Sequence, residues 1–347
     1  MLQSEQLKCR EIIPAAVSER AFEKVFEPAY LAYTGTTQRI CKVLLTDLYA
    51  NLLRAIDVQS ALKRGYPGLD RLLRFKKKGL NEIPRMLEQL FLPINGAFSG
   101  LIRTLRSPSN KPPVSKEGGI YRPAVISLDL IKNMVEYKSN ISEMMFQLGD
   151  GHWNETAQEQ AASGRAANPN DGTSIFCHYI EDYLSGVGQM VEATSKQFIQ
   201  PVSMFAFQAN NYHYIVKSIR YSTGLSSMLS DKVIAKYEAN TLRNRKALMA
   251  IWKSCLASFP AMGLGPAEKL DMFNRTFDDL CADIGAFSLP DPDLRGKLTQ
   301  DTIESLIPQY SKFLEKNMDV LGSGGFRLKY SVSDIEKIID VIFSSRK

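Results

Sequence analysis

Apolar residues recur along almost the whole chain at the three- and four-residue spacing of an amphipathic helix. Leu45, Leu48, Tyr49, Leu52 and Ile56 form one stripe, and Ile94, Phe98, Leu101, Ile102 and Leu105 form another. Near the C-terminus, Ile335, Ile338, Ile339, Ile342 and Phe343 fall at i, i+3, i+4, i+7 and i+8. A start signal precedes this last stripe. Ser331 stands three residues before Asp334, a near capping box in which the hydroxyl accepts a free backbone N–H of the first turn. Period-two alternation bounded by turn residues is nearly absent, so the pattern predicts an all-α chain.

Four segments interrupt the helical pattern. Residues 106–120 are rich in Pro, Ser and Gly and are expected to end one helical block. Residues 149–174 are small, polar and rich in Gly and Asn, which predicts a mobile loop between helices. Further breaks are expected at 258–266 and at the LGSGG run, 321–325. No repeat of fixed period is present. Helices with one apolar stripe each can pack as a globule or as a row of small bundles, and periodicity does not choose between these.

The chain has 347 residues, a length suited to two or three domains, and its composition is close to the soluble average. No apolar run reaches the roughly 18–20 residues of a membrane span, and the first residues lack the apolar run of a signal peptide, so the expected setting is cytosolic. The five cysteines, Cys9, Cys41, Cys177, Cys255 and Cys281, form no CxxC pair and read as small buried hydrophobes. The sequons at Asn140, Asn154 and Asn274 carry no weight in such a setting.

Sequence features of catalysis are missing. His152, His178 and His213 stand in no metal-ligand spacing, so no metal site is expected. Neither a phosphate-binding glycine loop nor a nucleophile elbow occurs. Two carboxylate clusters, Asp278–Asp279 and Asp291 with Asp293, read as solvated turns at a helix start and around prolines. The sequence supports neither an enzyme nor a cofactor.

Net charge is +6, from 43 basic against 37 acidic residues, and is too small to name a partner. Its distribution says more. Between residues 63 and 78, Lys63, Arg64, Arg71, Arg74, Lys76, Lys77 and Lys78 stand against Asp70 alone. Arg71, Arg74 and Lys78 share a helical face, which suits an anionic surface equally as well as a solvated helix end. A smaller group flanks the last helix: Arg327 and Lys329 before it, Arg346 and Lys347 after it. No interleaved Arg/aromatic platform is present, which argues against nucleic acid.

Four stretches resemble a known family. They are LQSEQLKCREIIP (2–14), FQANNYHYIVKSI (207–219) with its Asn-Asn-x-x-Tyr-Ile core, FNRTFDDLCADIGAFSLPDPDLRGKL (273–298), and FRLKYSVSDIEKIIDVIF (326–343). In this order they are similar to the seventy-kilodalton subunit of the exocyst, the complex that tethers secretory vesicles to the plasma membrane, with a fungal character. The resemblance implies an all-α, elongated rod of consecutive helical bundles, divided here as 1–112, 113–250 and 251–347. It places the family's N-terminal arm before Met1, so the chain is expected to be the C-terminal portion.

The resemblance also implies a non-catalytic, cytoplasmic protein recruited peripherally to the plasma membrane at sites of polarised secretion. The implied partners are other exocyst subunits, a Rho-family small GTPase and phosphatidylinositol 4,5-bisphosphate. By position, Lys329 matches a basic residue just before the family's Tyr, here Tyr330, and Lys269 matches a basic residue of another patch. A second basic position falls on Phe326, where the adjacent Arg327 is the only substitute. The family's Trp is Phe287 here. The lipid set is therefore Lys329, Arg327, Lys269, Arg346 and Lys347. The alternative is a related interaction scaffold that has lost lipid binding.

Overall fold

The computed structural model describes residues 2–72, 82–107, 114, 118–154, 167–323 and 326–344. Among these residues it is all-α, with one isolated backbone bridge, between Gly118 and Ser288, and no strand. The all-α expectation holds. The chain divides into two compact units, Met1–Arg103 with Glu136–Asp182, and Thr104–Val135 with Tyr183–Lys347.

The first unit begins with helices α1 (Leu2–Ile12) and α2 (Ala15–Thr46). Along α2 the buried residues Phe22, Phe26, Tyr30, Thr34, Thr37, Cys41 and Leu44 recur every three or four positions, one seam on one face. The Tyr30 hydroxyl donates to Glu82 Oε2 at 3.1 Å, at the start of α4 (Glu82–Arg106). Burial and this carboxylate hold the Tyr30 phenol above its ordinary range.

The predicted stripe from Leu45 to Ile56 is cut in two. Asp47 leaves helical geometry (φ −135°) between α2 and α3 (Leu48–Leu72), and its Oδ1 accepts the Ala50 N–H at 3.2 Å, capping α3. Leu52 and Ile56 are buried, whereas Tyr49 is exposed. On α4 the stripe is as expected: Ile94, Phe98, Ile102 and Leu105 are buried.

Helix α6 (Lys138–Leu148) leads into the segment read as a mobile loop. Residues 155–166 of this segment lie outside the described residues, and the contacts of its described ends are to buried side chains. Trp153 and Asn154 are buried, and both donate to Asp182 Oδ2, at 2.8 and 3.1 Å. Asp182 lies in α7 (Gly172–Ser195), as does His178, whose Nδ1 is 2.6 Å from Asp150 Oδ1. Asp150 Oδ2 accepts the Ala167 N–H at 2.9 Å, so the two described ends of the segment meet at one part-buried carboxylate. Polar composition suggested solvent, but these polar groups partner one another.

The second unit contains α5 (Arg122–Glu136), α8 (Pro201–Arg220), α9 (Thr223–Ser226), α10 (Asp231–Lys253) with a 3₁₀ turn at Ser254–Ser258, α11 (Pro266–Gly285), α12 (Pro292–Ser323) and α13 (Val332–Ser344). Helix α12 runs through Leu321 to Ser323, so the break expected at 321–325 begins later than the glycine count suggested. The core toward the C-terminus is aromatic. Phe259 stacks on Phe313 with centroids 4.1 Å apart, and Phe273 lies 4.7 Å from Tyr310. Trp252 is fully buried between Phe277 and Phe343, and Ile335, Ile339 and Phe343 are the buried members of the last stripe.

Candidate functional site

The segment before α13 is held by reciprocal contacts. The Asp334 N–H donates to Ser331 Oγ at 3.1 Å and the Ser331 N–H donates to Asp334 Oδ2 at 2.9 Å, completing the capping box expected from sequence. The Ser331 hydroxyl also donates to Asp334 Oδ2, at 2.7 Å, and this bond with that from the Ser331 N–H holds the Asp334 carboxyl below its ordinary range. The Tyr310 hydroxyl donates to the Tyr330 carbonyl at 2.7 Å, and the Tyr330 hydroxyl donates to Asp278 Oδ1 at 2.7 Å. Arg327 is exposed on the same segment.

Lys329 is half-exposed, but its ammonium is paired with Asp278 Oδ2 and lies 5.0 Å from the Tyr330 ring centroid. The hydrogen bond to Asp278 raises the Lys329 pKa, and burial with the same carboxylate raises that of Tyr330. Asp278 is therefore not a solvated residue at a helix start. It lies in the second half of α11 and secures the segment carrying the basic pair.

Lys269 is placed apart. Its Nζ donates to the Phe259 carbonyl at 3.0 Å, closing the turn before α11. Nine positions separate Lys269 from Asp278, roughly 13 Å along the axis and half a turn round it, so the two flank opposite sides of the buried face of α11. Its neighbour Glu268 caps the Gly265 N–H at 2.8 Å. Arg346 and Lys347 lie outside the described residues.

The basic stretch at 63–78 is described only in part. Lys63 pairs with Glu143 at 2.5 Å, and Arg64 donates to Asn140 Oδ1 at 3.1 Å, so both are tied to α6. Arg71 is exposed, with its Nε donating back to the Pro67 carbonyl at 3.3 Å. Arg74, Lys76, Lys77 and Lys78 lie outside the described residues, as does most of the predicted shared face.

The Asn-Asn motif and the Pro-Asp-Pro-Asp turn meet each other. Asn210 Nδ2 donates to the Ser288 carbonyl at 2.8 Å. Asn211 is fully buried and makes three bonds: Nδ2 to the carbonyls of Gly119 (3.1 Å) and Phe207 (2.8 Å), and Oδ1 from the Tyr121 N–H (2.8 Å). One helical turn on, His213 Nε2 is 3.0 Å from Asp291 Oδ1, and the Lys217 ammonium lies 2.7 and 3.1 Å from Asp291 and Asp293.

Asp291 also caps α12 by accepting the Asp293 and Leu294 N–H groups, each at 3.0 Å. Burial would raise the Asp291 pKa, but the Lys217 bond and the Leu294 amide outweigh it and hold the carboxyl below its ordinary range. Burial lowers the His213 pKa despite the adjacent carboxylate, so the imidazole is neutral near pH 7 and donates to Asp291. This cluster too was read as a solvated turn and is instead an ion-paired clamp. Its histidine and two carboxylates bring three donor atoms within 4.8 Å of one another, but the Lys217 ammonium already bridges the carboxylates where a cation would sit. Sequence order hid this arrangement, because its halves are more than seventy residues apart.

Among the described residues no helix is long and apolar enough to cross a membrane. Residues 1–341 match the family model for the C-terminal region of the Exo70 exocyst complex subunit. The chain is 21% identical to exocyst complex component EXO70A1 of Arabidopsis thaliana over 66% of this chain and 37% of that protein. It is 19% identical to human exocyst complex component 7 over 99% of this chain and 49% of that protein. It thus spans less than half the length of either relative. A crystal structure of the Saccharomyces cerevisiae exocyst component Exo70p shares the fold, with a TM-score of 0.63 at 15% identity over 99% of this chain and 69% of that one. Plant, animal and yeast proteins all match, so no source is distinguished. With the family model covering nearly every residue, the chain belongs to the family defined by the C-terminal part of the Exo70 exocyst subunit.

Proposed function

We propose that this chain acts as the C-terminal helical part of an exocyst tethering subunit. In this reading it is non-catalytic, assembles with other exocyst subunits in the cytoplasm, and is recruited peripherally to the plasma membrane during polarised secretion. Recruitment uses phosphatidylinositol 4,5-bisphosphate and a Rho-family GTPase, with the headgroup taken up within residues 251–347. The single observation that supports this most is the family match over residues 1–341. The local chemistry is compatible with it: Arg327 is exposed and Lys329 is half-exposed on a segment fixed by the Ser331–Asp334 capping box. Each basic residue near an anionic leaflet contributes on the order of 1 kcal/mol, weakened by salt.

Sedimentation with vesicles containing or lacking phosphatidylinositol bisphosphate tests the lipid site. Wild type is expected in the pellet with the charged lipid, and Arg327→Glu/Lys329→Gln is expected to remain in the supernatant at about 0.15 M salt. Equal sedimentation of the two proteins would overturn the assignment.

One observation favours a second reading, an interaction scaffold without lipid affinity. Lys329 is already neutralised by Asp278, and Phe326 occupies a position where the resemblance implies a base. Retention of the chain on a GTP-loaded Rho-type GTPase, with no vesicle binding, would support that reading.

A further inference from the structure

The solvent side of α10 carries a feature that apolar patterning alone does not reveal. Positions 232, 236, 239, 243, 246, 250 and 253 are Lys, Lys, Ala, Arg, Lys, Ala and Lys, and all seven are exposed. Their spacing is 4, 3, 4, 3, 4, 3, the 3.5-residue repeat that keeps a stripe facing one partner helix. The row runs about 31 Å along the helix. The opposite face buries Tyr237, Thr241, Asn244, Leu248 and Trp252, so the orientation of α10 is fixed by its own core.

None of the five cations, Lys232, Lys236, Arg243, Lys246 and Lys253, is in an ion pair among the described residues, although Lys246 and Lys253 line the same cleft as Asp301 and Glu304. The acidic residues of α10 and of its neighbour α12 are bonded to other side chains or stand at the helix end. Asp231 stands at the N-terminal end of α10 and Glu238 pairs with Arg220. On the α12 side, Asp301 is held by Arg245 and Glu304 accepts from Gln300 Nε2 at 2.8 Å. Unpaired cations held in a row repel one another, and a partner's carboxylates would relieve that repulsion.

We propose that this face of α10 docks an acidic helical segment of a partner protein, with carboxylates repeated at the same 3.5-residue spacing. The alanines at 239 and 250 leave room for a second helix to lie close along the row, while the cations on either side of each alanine reach its carboxylates. The row itself includes no large apolar or aromatic side chain, and the one exposed leucine that flanks it, Leu242, is far short of the apolar face that lays a helix in a bilayer. Specificity then comes from charge register, and affinity falls with added salt.

The probe is a synthetic helical peptide with glutamates on one stripe at 3.5-residue spacing. Its control has the same composition with the glutamates scattered round all faces. Fluorescence anisotropy with the full chain is expected to show about tenfold tighter binding of the striped peptide. Lys236→Gln/Arg243→Gln/Lys246→Gln is expected to lose about tenfold, and the charge-conserving Lys236→Arg/Arg243→Lys/Lys246→Arg to bind as wild type. These positions are exposed, so thermal midpoints should agree within about 2 °C. Equal affinity for the two peptides, or undiminished binding by the glutamine variant, would overturn the proposal. So would loss of binding to phosphatidylserine vesicles by that variant when neither peptide binds, since the face would then belong to a lipid surface.

Discussion

Replacing Asn211 with Ala removes the side chain that joins α8 to the 119–121 turn. Two buried backbone groups lose their partner: the Tyr121 N–H, now 2.8 Å from Oδ1, and the Gly119 carbonyl, now 3.1 Å from Nδ2. The Phe207 carbonyl is less affected, since it lies within α8. At about 1–3 kcal/mol for each orphaned buried group, the expected loss is about 3 kcal/mol. Asn210→Ala removes one bond, to the Ser288 carbonyl, and should cost about 1 kcal/mol.

The chain contains two tryptophans, Trp153 in one compact unit and Trp252 in the other. Labelling with 5-fluorotryptophan therefore gives one ¹⁹F reporter in each unit without further substitution. With a urea m-value of about 2 kcal/mol/M, Asn211→Ala should lower the Trp252 midpoint by about 1.5 M, and Asn210→Ala by about 0.5 M. A shift below about 0.3 M for Asn211→Ala, or the reverse order of the two variants, would refute the assignment of Asn211 as the principal clamp.

Three further outcomes are expected. Gly118 has φ +67°, and a Cβ there would lie 1.8 Å from Phe287 Cζ, so Gly118→Ala should destabilise the second unit by more than about 2 kcal/mol, read from the same Trp252 midpoint. The lowered pKa of His213 means that the unfolded chain takes up more protons below pH 6.5. That stabilisation is present above pH 6.5 and is lost as pH falls, by at most about 1.4 kcal/mol per pH unit, and His213→Gln should flatten the dependence of urea midpoints between pH 7.5 and 5.5. Finally, Asp278→Asn frees Lys329 from its counter-charge and should increase binding to phosphatidylinositol bisphosphate vesicles by about fivefold in sedimentation.

The fold class and the last helix were legible because they depend on local pattern. The spacing of Ile335, Ile339 and Phe343 and the Ser331–Asp334 cap act within a few residues of each other, and both are as expected. The stripe through Leu45–Ile56 was misread because one residue, Asp47, ends a helix and caps the next without changing the apolar spacing.

The polar clusters were misread for another reason. Asp291 with His213 and Lys217, Asp278 with Lys329 and Tyr330, and Asp182 with Trp153 and Asn154 look like solvated residues until residues 28 to 78 positions apart are brought together. Charge in a linear sequence does not say whether its partner is water, lipid or another side chain. The same limit hid the cationic row of α10, whose repeat has meaning only once the opposite face is known to be buried.

The central functional claim is that membrane contact is made by the segment leading into α13. Hydrogen–deuterium exchange of the full chain, with and without vesicles containing phosphatidylinositol bisphosphate, tests it most directly. Added protection of amides within 326–334 is expected, and is expected to be absent in Arg327→Glu/Lys329→Gln. Protection confined to 63–72 or 231–253, with 326–334 unchanged, would contradict it.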